Sequence, residues 1–290
     1  MNFSPEKKSV ATGTGDIFYF TAGPAASART VMLLHGLSSN HTTWLTFMET
    51  LAARGIRVIA PDIRGHGFSD KSKRKAWYAL PVFVEDVRRI AKQEQLQKFD
   101  MVGYSFGGYV AISYAGTYPG SLRTLSLVSA NFMNPLHYGP LSPFAPVLAV
   151  FVSGLAWLTY PQGHEPYHYF EHGKSTGYLN STIKGFLTMP FSVNFWMLAT
   201  ALRLDLSASL SRITCPTLIV KSVHDPYLTA REVADMSRRI KNARSVTIAA
   251  GGHHLASQNQ DALARELLPF LENPRRDSRS MIQDSGIIPS

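Results

Sequence analysis

The sequence predicts an α/β fold, with a mostly parallel central sheet, helices on both faces and an inserted helical segment. Three observations lead to this prediction. Short apolar runs alternate with amphipathic stretches along most of the 290 residues, as is typical of strand–helix units. Hydrophobic residues make up 45% of the chain, enough for the core of one large domain, with or without an insertion. One long stretch, 131–206, lacks the alternation.

Six short apolar runs are expected to form the strands of the sheet. The strands are expected at Thr30–Leu34, Ile56–Ala60, Phe99–Val102, Leu122–Ser129, Pro216–Val220 and Ser245–Ala249. Most are followed by residues whose apolar members recur at helical spacing, as Trp44, Phe47, Met48 and Leu51 do. The helices are expected at Thr42–Arg54, Pro81–Leu96, Phe106–Tyr118, Ala230–Ile240 and Asp261–Leu271. Because parallel strands need crossover helices, a mostly parallel sheet covered on both faces follows.

The segment 131–206 interrupts the alternation and is interpreted as an inserted helical lid. It is rich in aromatic residues, leucine and proline, and no charged residue occurs between Arg123 and Glu165. A structureless loop of that length would be unusual in a compact domain. The expected organisation is an α/β core at 1–130 and 207–272, a helical cap at 131–206 and a polar, disordered tail at 273–290.

One apolar run within the insertion, Pro146–Tyr160, raises the question of a membrane span. A spanning helix needs about 20 apolar residues. This run is shorter, and Pro143 and Pro161 bound it. No transmembrane segment is therefore predicted, whereas transient contact of this surface with a membrane stays open.

Composition and charge narrow the classes of function. The formal net charge of +9 includes a basic patch at 71–75 and arginines around Arg275, and such patches can bind nucleic acid or anionic membrane. No nucleic-acid-binding motif accompanies them, so no nucleic acid partner is expected, and the roles of the patch and the tail stay open. The single cysteine, Cys215, permits no intramolecular disulfide. Residues 1–16 contain no apolar signal core, so a cytoplasmic location is expected.

Residues with catalytic chemistry follow the ends of three predicted strands. Ser105 lies between Gly103 and Gly107, where a strand turns sharply into a helix. Asp225 and His253 each come just past a later strand. In open parallel sheets, active groups collect at the carboxyl ends of the strands. A serine hydroxyl becomes a nucleophile when a histidine takes its proton and a carboxylate orients that histidine. The order Ser–Asp–His therefore predicts nucleophilic catalysis.

Five motifs together make the chain resemble the α/β-hydrolase superfamily over almost all of Thr30–Leu271. They are HGLSSNHTTW, APDIRGHGFSD, VGYSFGG, PTLIVKSVHDP and AGGHH. The insertion falls where the superfamily commonly places its cap. Two positions depart from the pattern: Ser222 replaces a frequent glycine before the acid, and Gln258–Gln260 replace an acidic element that often follows the histidine.

The resemblance implies a role for each residue of the expected site. Ser105 is the nucleophile, His253 is the base that takes and returns its proton, and Asp225 is the carboxylate that orients the imidazole. The oxyanion donors are the backbone N–H groups of Leu37 and Phe106.

Two of these assignments have competitors in the sequence. His254 adjoins His253, and the resemblance favours the histidine that directly follows the glycine. Asp62, Asp70 and Asp86 compete with Asp225, which has the expected place in the chain order and is followed by a proline, typical of a loop. Asp62 and Arg64 belong to the DIRGHGFSD turn, which looks structural in the superfamily. At the end of the Leu122–Ser129 strand, where some relatives place the acid, only Asn131 is available.

The expected reaction is hydrolysis of a carboxylic ester, or a related acyl bond, of a small apolar substrate through an acyl-Ser105 intermediate. No metal or organic cofactor is expected. A serine nucleophile excludes epoxide hydrolases and haloalkane dehalogenases, which use aspartate, and dienelactone hydrolases, which use cysteine. Lactonases, C–C bond hydrolases and cofactor-free perhydrolases stay open, as does a non-catalytic ligand-binding protein on the same fold. The oligomeric state is open too.

The uncharged parts of the insertion predict the kind of substrate. Asn131–Tyr160 and Gly185–Leu202 carry no formal charge, and they cannot both face water without exposing a large apolar patch. They are expected to cover the mouth above Ser105 and to line it with Phe, Trp, Leu and Met. A medium-chain or aromatic ester is therefore the expected substrate.

The stretch His164–His168 matches the HExxH zinc motif, and His172 lies one helical turn further on. The zinc chemistry requires both histidines on one face of an unbroken helix. Pro166 lies inside the motif and disfavours that helix, so no metal site is expected here.

Overall fold

A computed structural model of the chain describes residues 3–13, 15–72, 74–159, 186–187, 189–249 and 251–274. In these residues an eight-stranded sheet has the order β1-β2-β4-β3-β5-β6-β7-β8. The strands are β1 Glu6–Ala11, β2 Asp16–Ala22, β3 Thr30–Leu34, β4 Arg57–Pro61, β5 Phe99–Tyr104, β6 Leu122–Val128, β7 Thr217–Ser222 and β8 Ala243–Ile248. The six strands from β3 to β8 pair in parallel. The predicted mostly parallel sheet is confirmed.

The first two strands, which the sequence analysis missed, form an antiparallel hairpin on one edge of the sheet. β1 pairs with β2, with Val10 opposite Ile17, and β2 pairs antiparallel with β4. β1 reads EKKSVA, and most of its residues are exposed or half-buried. A polar, charged edge strand such as β1 carries little hydrophobic signal, because only one face of a short strand packs on the core. β2 reads DIFYFTA, so an apolar run is present in the sequence there.

The helices lie on both faces of the sheet. The described helices are α1 Leu45–Ala52, α2 Leu80–Gln93, α3 Phe106–Thr117, α4 Ala145–Leu158, α5 Phe191–Ala201, α6 Ser207–Leu210, α7 Ala230–Arg239, α8 Leu255–Gln258 and α9 Gln260–Glu272. Side chains alternate along the central strands, so Met32 and Leu34 of β3 pack with α2 and α3, whereas Val31 and Leu33 pack with α1 and α9. Two hydrophobic cores result, one on each face.

The expected helix Thr42–Arg54 is shorter in the structure and begins with a different geometry. A 3-10 turn covers His41–Trp44, and α1 follows it. The buried Asn40 side chain accepts hydrogen bonds from the Thr42 N–H (3.0 Å) and the Thr42 hydroxyl (2.6 Å). This local capping fixes a tight turn that apolar spacing alone does not reveal.

Between β6 and β7, the described part of the insertion contains two long helices, α4 and α5. Ala149 and Val152 of α4 pack against Ala199 of α5 and against Leu202, which directly follows α5. The two ends of the insertion meet. The Leu206 N–H donates to the Phe132 carbonyl (2.8 Å), and the neighbouring residues Met133 and Asp205 form an antiparallel bridge. The insertion therefore leaves the sheet and returns to it through a closed stem.

Helix α5 fastens the insertion to the core. The Trp196 ring is buried and stacks on the Tyr78 ring, with centroids 5.8 Å apart. The Thr200 hydroxyl donates to the backbone carbonyl of Tyr78 (2.9 Å). Residues 160–185, which include the HExxH match, lie outside the described part of the chain.

Helix α4 presents an apolar face to solvent. Val147, Val150, Phe151 and Trp157 are each more than 60% exposed, and Leu158 is 82% exposed. Among the described residues, no helix combines the length and the apolar character that crossing a membrane requires.

Two side chains whose environment the sequence leaves open have a defined one in the structure. Cys215 is buried. Lys71, the first residue of the basic patch, is not a freely solvated charge, because its ammonium donates to the carbonyls of Gly67 (2.6 Å) and Ser69 (3.2 Å). Burial lowers the pKa of Lys71. The start of the patch thus belongs to the DIRGHGFSD turn.

Candidate functional site

Ser105 occupies a strained turn between β5 and α3. Its backbone has φ 50° and ψ −115°, a conformation that costs a non-glycine residue free energy. The turn also brings α3 close to the end of β3. A Cβ atom on Gly107 would lie 2.6 Å from the carbonyl oxygens of Leu34 and His35, so only glycine fits there. The motif VGYSFGG thus holds the Ser105 side chain above the carboxyl edge of the sheet.

A chain of hydrogen bonds links Ser105, His253 and Asp225. The Ser105 Oγ lies 2.9 Å from His253 Nε2, and His253 Nδ1 lies 3.1 Å from Asp225 Oδ1. The carboxylate requires Nδ1 to carry the proton, which leaves Nε2 to accept from the serine hydroxyl. The structure thus brings together three residues that are far apart in sequence, in the arrangement that activates a serine.

Asp225 stays ionised in this arrangement. Burial by itself would raise the pKa of Asp225, but hydrogen bonding to His253 and the charge of His253 outweigh it. The Tyr227 N–H, 2.9 Å from Oδ1, and the Ser129 hydroxyl act in the same direction, so the pKa lies below the ordinary value of an aspartate. An ionised carboxylate can stabilise an imidazolium on His253.

The competing residues have other partners. His254 Nδ1 lies 3.3 Å from the Tyr104 hydroxyl, and burial lowers the pKa of His254 to about 4. Asp62 accepts from the backbone N–H of His41 (2.7 Å), and Asp86 pairs with the buried Arg64. Asp70 accepts from the backbone N–H of Asp16 (2.7 Å).

Ser222, one of the two departures from the expected pattern, ties the acid loop to the histidine loop. Its hydroxyl donates to the Gly251 carbonyl (2.5 Å) and accepts from the His224 N–H (3.2 Å). A glycine could make neither contact. In the second departure, the Gln260 amide donates to the Thr43 carbonyl (2.7 Å), which joins the start of α9 to the turn before α1.

The loop after β3 passes directly over Ser105. A Cβ atom on Gly36 would lie 3.2 Å from the Ser105 Cβ, which shows how closely the two backbones approach. Leu37, Ser105 and Phe106 all line one cavity. The structure therefore places both residues expected to supply oxyanion donors beside the serine.

Two buried histidines brace this loop from below, and sequence reasoning gave them no role. His66 Nε2 accepts from the Ser38 N–H (3.1 Å), and His35 Nε2 accepts from the Ile63 N–H (3.0 Å). Their Nδ1 atoms face the carbonyls of Arg64 (3.0 Å) and Gly36 (2.8 Å), which sets the tautomers. Burial lowers the pKa of His35 to about 4 and that of His66 well below its usual range. Both rings are therefore neutral near pH 7, as acceptors must be.

The cavity above Ser105 has a volume of about 320 Å³. The core contributes Leu37, Phe106, Tyr109 and Tyr227, together with polar residues that include Ser129, Asn131 and His254. The described part of the insertion past residue 131 contributes Pro135, Phe186, Leu198 and Ala201.

The expectation that tryptophan and methionine line the mouth was wrong for the described residues. Trp196 and Met197 are buried in the core contact of α5 rather than in the cavity wall. Phe and Leu do line it, as expected. A helix covered on two sides divides its apolar residues between core and cavity, and composition cannot show that division.

Among the described residues, no group of three or more His, Cys, Asp or Glu side chains could hold a metal ion. The site as described contains a serine, a histidine and a carboxylate in one hydrogen-bonded chain, and these are the groups that nucleophilic catalysis by a serine uses.

Comparison with known proteins gives the same fold. A model of the alpha/beta hydrolase fold family matches residues 29–260. A Variovorax paradoxus (strain S110) relative, provisionally named the carbamate hydrolase RutD, is 26% identical over 273 residues, 88% of this chain and 96% of that protein. The solved structure of a thermophilic esterase from Thermogutta terrifontis has a TM-score of 0.71 and 21% identity, over 93% of this chain and 100% of the esterase.

The first curated relatives that the chain matches share only a segment with it. An uncharacterised protein of Mycobacterium tuberculosis (strain ATCC 25618 / H37Rv) is 38% identical over 106 residues, 37% of this chain. The match spans 30% of the length of that relative. Its similarity therefore bears on part of the core only.

The hydrogen-bonded chain predicts the effect of three substitutions on the hydrolysis of a chromogenic ester. We expect Ser105→Ala and His253→Ala to abolish measurable turnover, because they remove the attacking oxygen and the proton acceptor. Asp225→Asn should lower kcat by up to about 10⁴-fold, because an amide favours the wrong tautomer of His253. Steady-state kinetics measure these effects, and circular dichroism checks that each variant keeps its fold.

His254→Ala is the matched control for His253→Ala, since both remove a neighbouring imidazole from the same cavity. We expect it to retain most of the activity. An inactive His254→Ala beside an active His253→Ala would assign the base to His254.

The neutral histidines predict how stability depends on pH. An unfolded histidine titrates near pH 6.5, whereas in the folded chain burial lowers the pKa of His35 to about 4 and that of His66 well below its usual range. Below pH 6.5 the unfolded state therefore binds protons that the folded state excludes. The free energy of unfolding should fall by about 1.4 kcal/mol per pH unit for each of these histidines between about pH 6 and 4.5.

Urea denaturation at a series of pH values measures this slope. His66→Gln removes one titrating group and should make the slope shallower, even though the variant is less stable at pH 7. A free energy of unfolding that stays constant between pH 6.5 and 5 would refute the assignment of neutral, buried rings.

Proposed function

We propose that this chain, which belongs to the alpha/beta hydrolase fold family, is a serine hydrolase. Its proposed substrates are carboxylic esters with small apolar acyl groups. The observation that carries the proposal is the Ser105–His253–Asp225 hydrogen-bonded chain at the base of a largely apolar cavity. The family match supports a hydrolase, and the site residues support the ester chemistry.

The proposed mechanism begins with attack by Ser105. His253 Nε2, 2.9 Å from the hydroxyl oxygen, takes the proton as the oxygen adds to the ester carbonyl. The tetrahedral intermediate collapses when the imidazolium returns the proton to the leaving alcohol. Water then attacks the acyl-Ser105, again with His253 as base, and frees the carboxylic acid. Asp225 stabilises the imidazolium in both halves of the cycle.

The negative charge on the carbonyl oxygen requires hydrogen-bond donors. The backbone N–H groups of Leu37 and Phe106 are the proposed donors, because both residues border the serine in the cavity. Phe106 is the first residue of α3, where N–H groups lack partners within the helix and the helix dipole favours a negative charge. Removing one such donor typically costs 10²–10³-fold in kcat.

The cavity wall supports an uncharged acyl chain as the substrate group. Phe186 and Leu198 of the insertion face the same space as Leu37 and Phe106 of the core. No lysine, arginine, aspartate or glutamate occurs among the described residues that line it. A charged acyl group would lose hydration without gaining an ionic partner. We infer that the insertion acts as a lid over this pocket.

Chain-length dependence tests the proposal with p-nitrophenyl esters from acetate to decanoate. Each added methylene buried in the cavity contributes about 0.8 kcal/mol, so kcat/KM should rise about four-fold per methylene until the pocket is full. Leu198→Ala should move the optimum to longer chains and leave acetate almost unchanged. Activity that peaks at acetate and falls steadily would contradict the apolar acyl pocket.

The same assay distinguishes ester hydrolysis from the other reactions that stay open for this chain. γ- and δ-lactones, a carbamate, a vinylogous 1,5-diketone and acetate with hydrogen peroxide are run beside the esters. A higher kcat/KM for one of these would reassign the substrate while leaving Ser105 as nucleophile. The absence of a Ser105-dependent burst with every substrate would instead indicate a ligand-binding protein on this fold.

The exposed face of α4 supports a second proposal, that the insertion makes transient contact with an anionic lipid surface. Val147, Val150, Phe151 and Leu158 form an uncharged surface on one helix. Large exposed apolar patches mark interaction sites. The formal net charge of +9 favours approach to an anionic rather than a neutral bilayer.

Co-sedimentation with vesicles tests this contact. Binding to phosphatidylcholine vesicles containing phosphatidylserine should exceed binding to pure phosphatidylcholine and should weaken with added salt. Val147→Gln combined with Phe151→Gln should abolish it, whereas Phe68→Gln, at an exposed aromatic residue outside the insertion, should not. Equal binding by the double variant would refute the proposal. Concentration-dependent dimers that the double variant disrupts would assign the α4 face to a second copy of the chain instead.

A further inference from the structure

Ser38, the residue after Leu37, has a backbone conformation that side chains seldom adopt. Its φ is +57°, in the left-handed region that favours glycine. The left-handed φ of Ser38 orients the Leu37–Ser38 peptide group, which is joined to the Leu37 N–H through a single α-carbon. A residue held in such a conformation needs contacts that fix it, or the loop relaxes to a commoner one.

Two hydrogen bonds from opposite sides fix Ser38. From the core, His66 Nε2 accepts its backbone N–H at 3.1 Å. From the insertion, the Asn194 Oδ1 accepts its hydroxyl at 2.7 Å. The second bond crosses from the loop over Ser105 to helix α5.

Asn194 is placed for this contact. It lies in the first turn of α5 and is fully buried, with no exposed surface. Its amide nitrogen donates to the Phe186 carbonyl at 2.8 Å and lies 3.4 Å from the Met189 carbonyl. These carbonyls fix the orientation of the amide, so its oxygen points at Ser38. A buried amide is costly unless its hydrogen bonds are made, so the side chain is held strongly in this position.

We propose that Asn194 is a positioning residue, which holds the Leu37 N–H in its oxyanion-binding orientation through the hydroxyl of Ser38. The proposal rests on the proposed esterase function. It assigns to α5 a part in the chemical step as well as in the cavity wall: the oxyanion site is complete only when the insertion helix is seated on the core. Because the donor orientation matters most when the carbonyl oxygen is charged, the loss of Asn194 should affect kcat rather than KM.

Kinetics of the full-length chain with its best p-nitrophenyl ester test the proposal. Asn194→Leu replaces the amide with an apolar group of similar size, and Ser38→Ala removes the hydroxyl without disturbing α5. We expect each to lower kcat by about 10²-fold and to change KM by less than about three-fold, because one oxyanion donor is misplaced. The double variant should be no slower than either single variant, since both break the same bond.

Thr200→Val is the matched control. It removes another side-chain hydrogen bond from α5 to the core, the bond to the Tyr78 carbonyl, and Thr200 does not line the cavity. A general loosening of α5 would lower the activity of this variant as well. We expect its kcat to stay within about three-fold of the unsubstituted chain, even if its melting temperature falls as far as that of Asn194→Leu.

An alkylboronic acid gives a readout that a purely structural role would not change, because it forms a tetrahedral, negatively charged adduct with Ser105. Its inhibition constant should rise in Asn194→Leu and Ser38→Ala by about the same factor as kcat/KM falls. The inhibition constant of the corresponding neutral alcohol should not change.

The outcomes separate the inference from the function on which it rests. Ser105-dependent turnover with an unchanged kcat in both Ser38→Ala and Asn194→Leu would overturn the positioning role alone. An equal loss in Thr200→Val, or a change confined to KM, would overturn it too. No Ser105-dependent turnover in the unsubstituted chain would overturn both proposals. If Asn194→Leu does not fold, Ser38→Ala, whose side chain is only half-buried, decides the question.

Discussion

The close crossing of β5, the Ser105 turn and α3 over the end of β3 is the constraint on which the rest of the site depends. Ser105 has a positive φ, and Gly107 packs its backbone against the carbonyls of Leu34 and His35. No side chain larger than hydrogen fits at that contact. The packing of the parallel sheet and of the two hydrophobic cores on its faces offsets the free energy that this strained backbone conformation costs. In return, the serine hydroxyl stands clear of its own helix, where a histidine from a distant loop can reach it.

The ionisable groups around this turn differ in protonation state, and each state suits the hydrogen bonds that the group makes. Asp225 keeps a lowered pKa in spite of its burial, because hydrogen bonds and the neighbouring imidazole favour the carboxylate. His35 and His66 are neutral for the opposite reason, since burial dominates, and the nearby Asp62 carboxylate raises the pKa of His35 too little to offset it. The same low-polarity interior therefore holds the Asp225 carboxylate as an anion and two histidines as uncharged acceptors. Each is in the protonation state that its hydrogen bonds require.

Local patterns allowed much of this structure to be predicted from the sequence. Buried parallel strands are continuous apolar runs, so the sheet could be inferred. The spacing of glycines around Ser105 marks the turn after β5, and Asp225 and His253 follow later apolar runs, so their positions at strand ends could be inferred too. The contacts that could not be inferred join residues distant in the chain and carry no local signature. The Ser222–Gly251 bond, the Ser38–Asn194 bond and the neutral His66 are of this kind. β1 was missed because a polar edge strand has little hydrophobic period, whereas the apolar run of β2, DIFYFTA, is present in the sequence but was not assigned.

The closed stem of the insertion has a consequence for how such a chain changes over evolutionary time. Because Phe132 and Leu206 pair directly, the segment between them can lengthen, shorten or be exchanged without moving the strands that hold Ser105 and Asp225. The entropic cost of a longer closed loop rises only slowly with its length. Selection can therefore alter the roof of the pocket almost independently of the groups beneath it. Under the positioning role proposed for Asn194, a replacement insertion would also have to supply a hydrogen bond to the Ser38 hydroxyl.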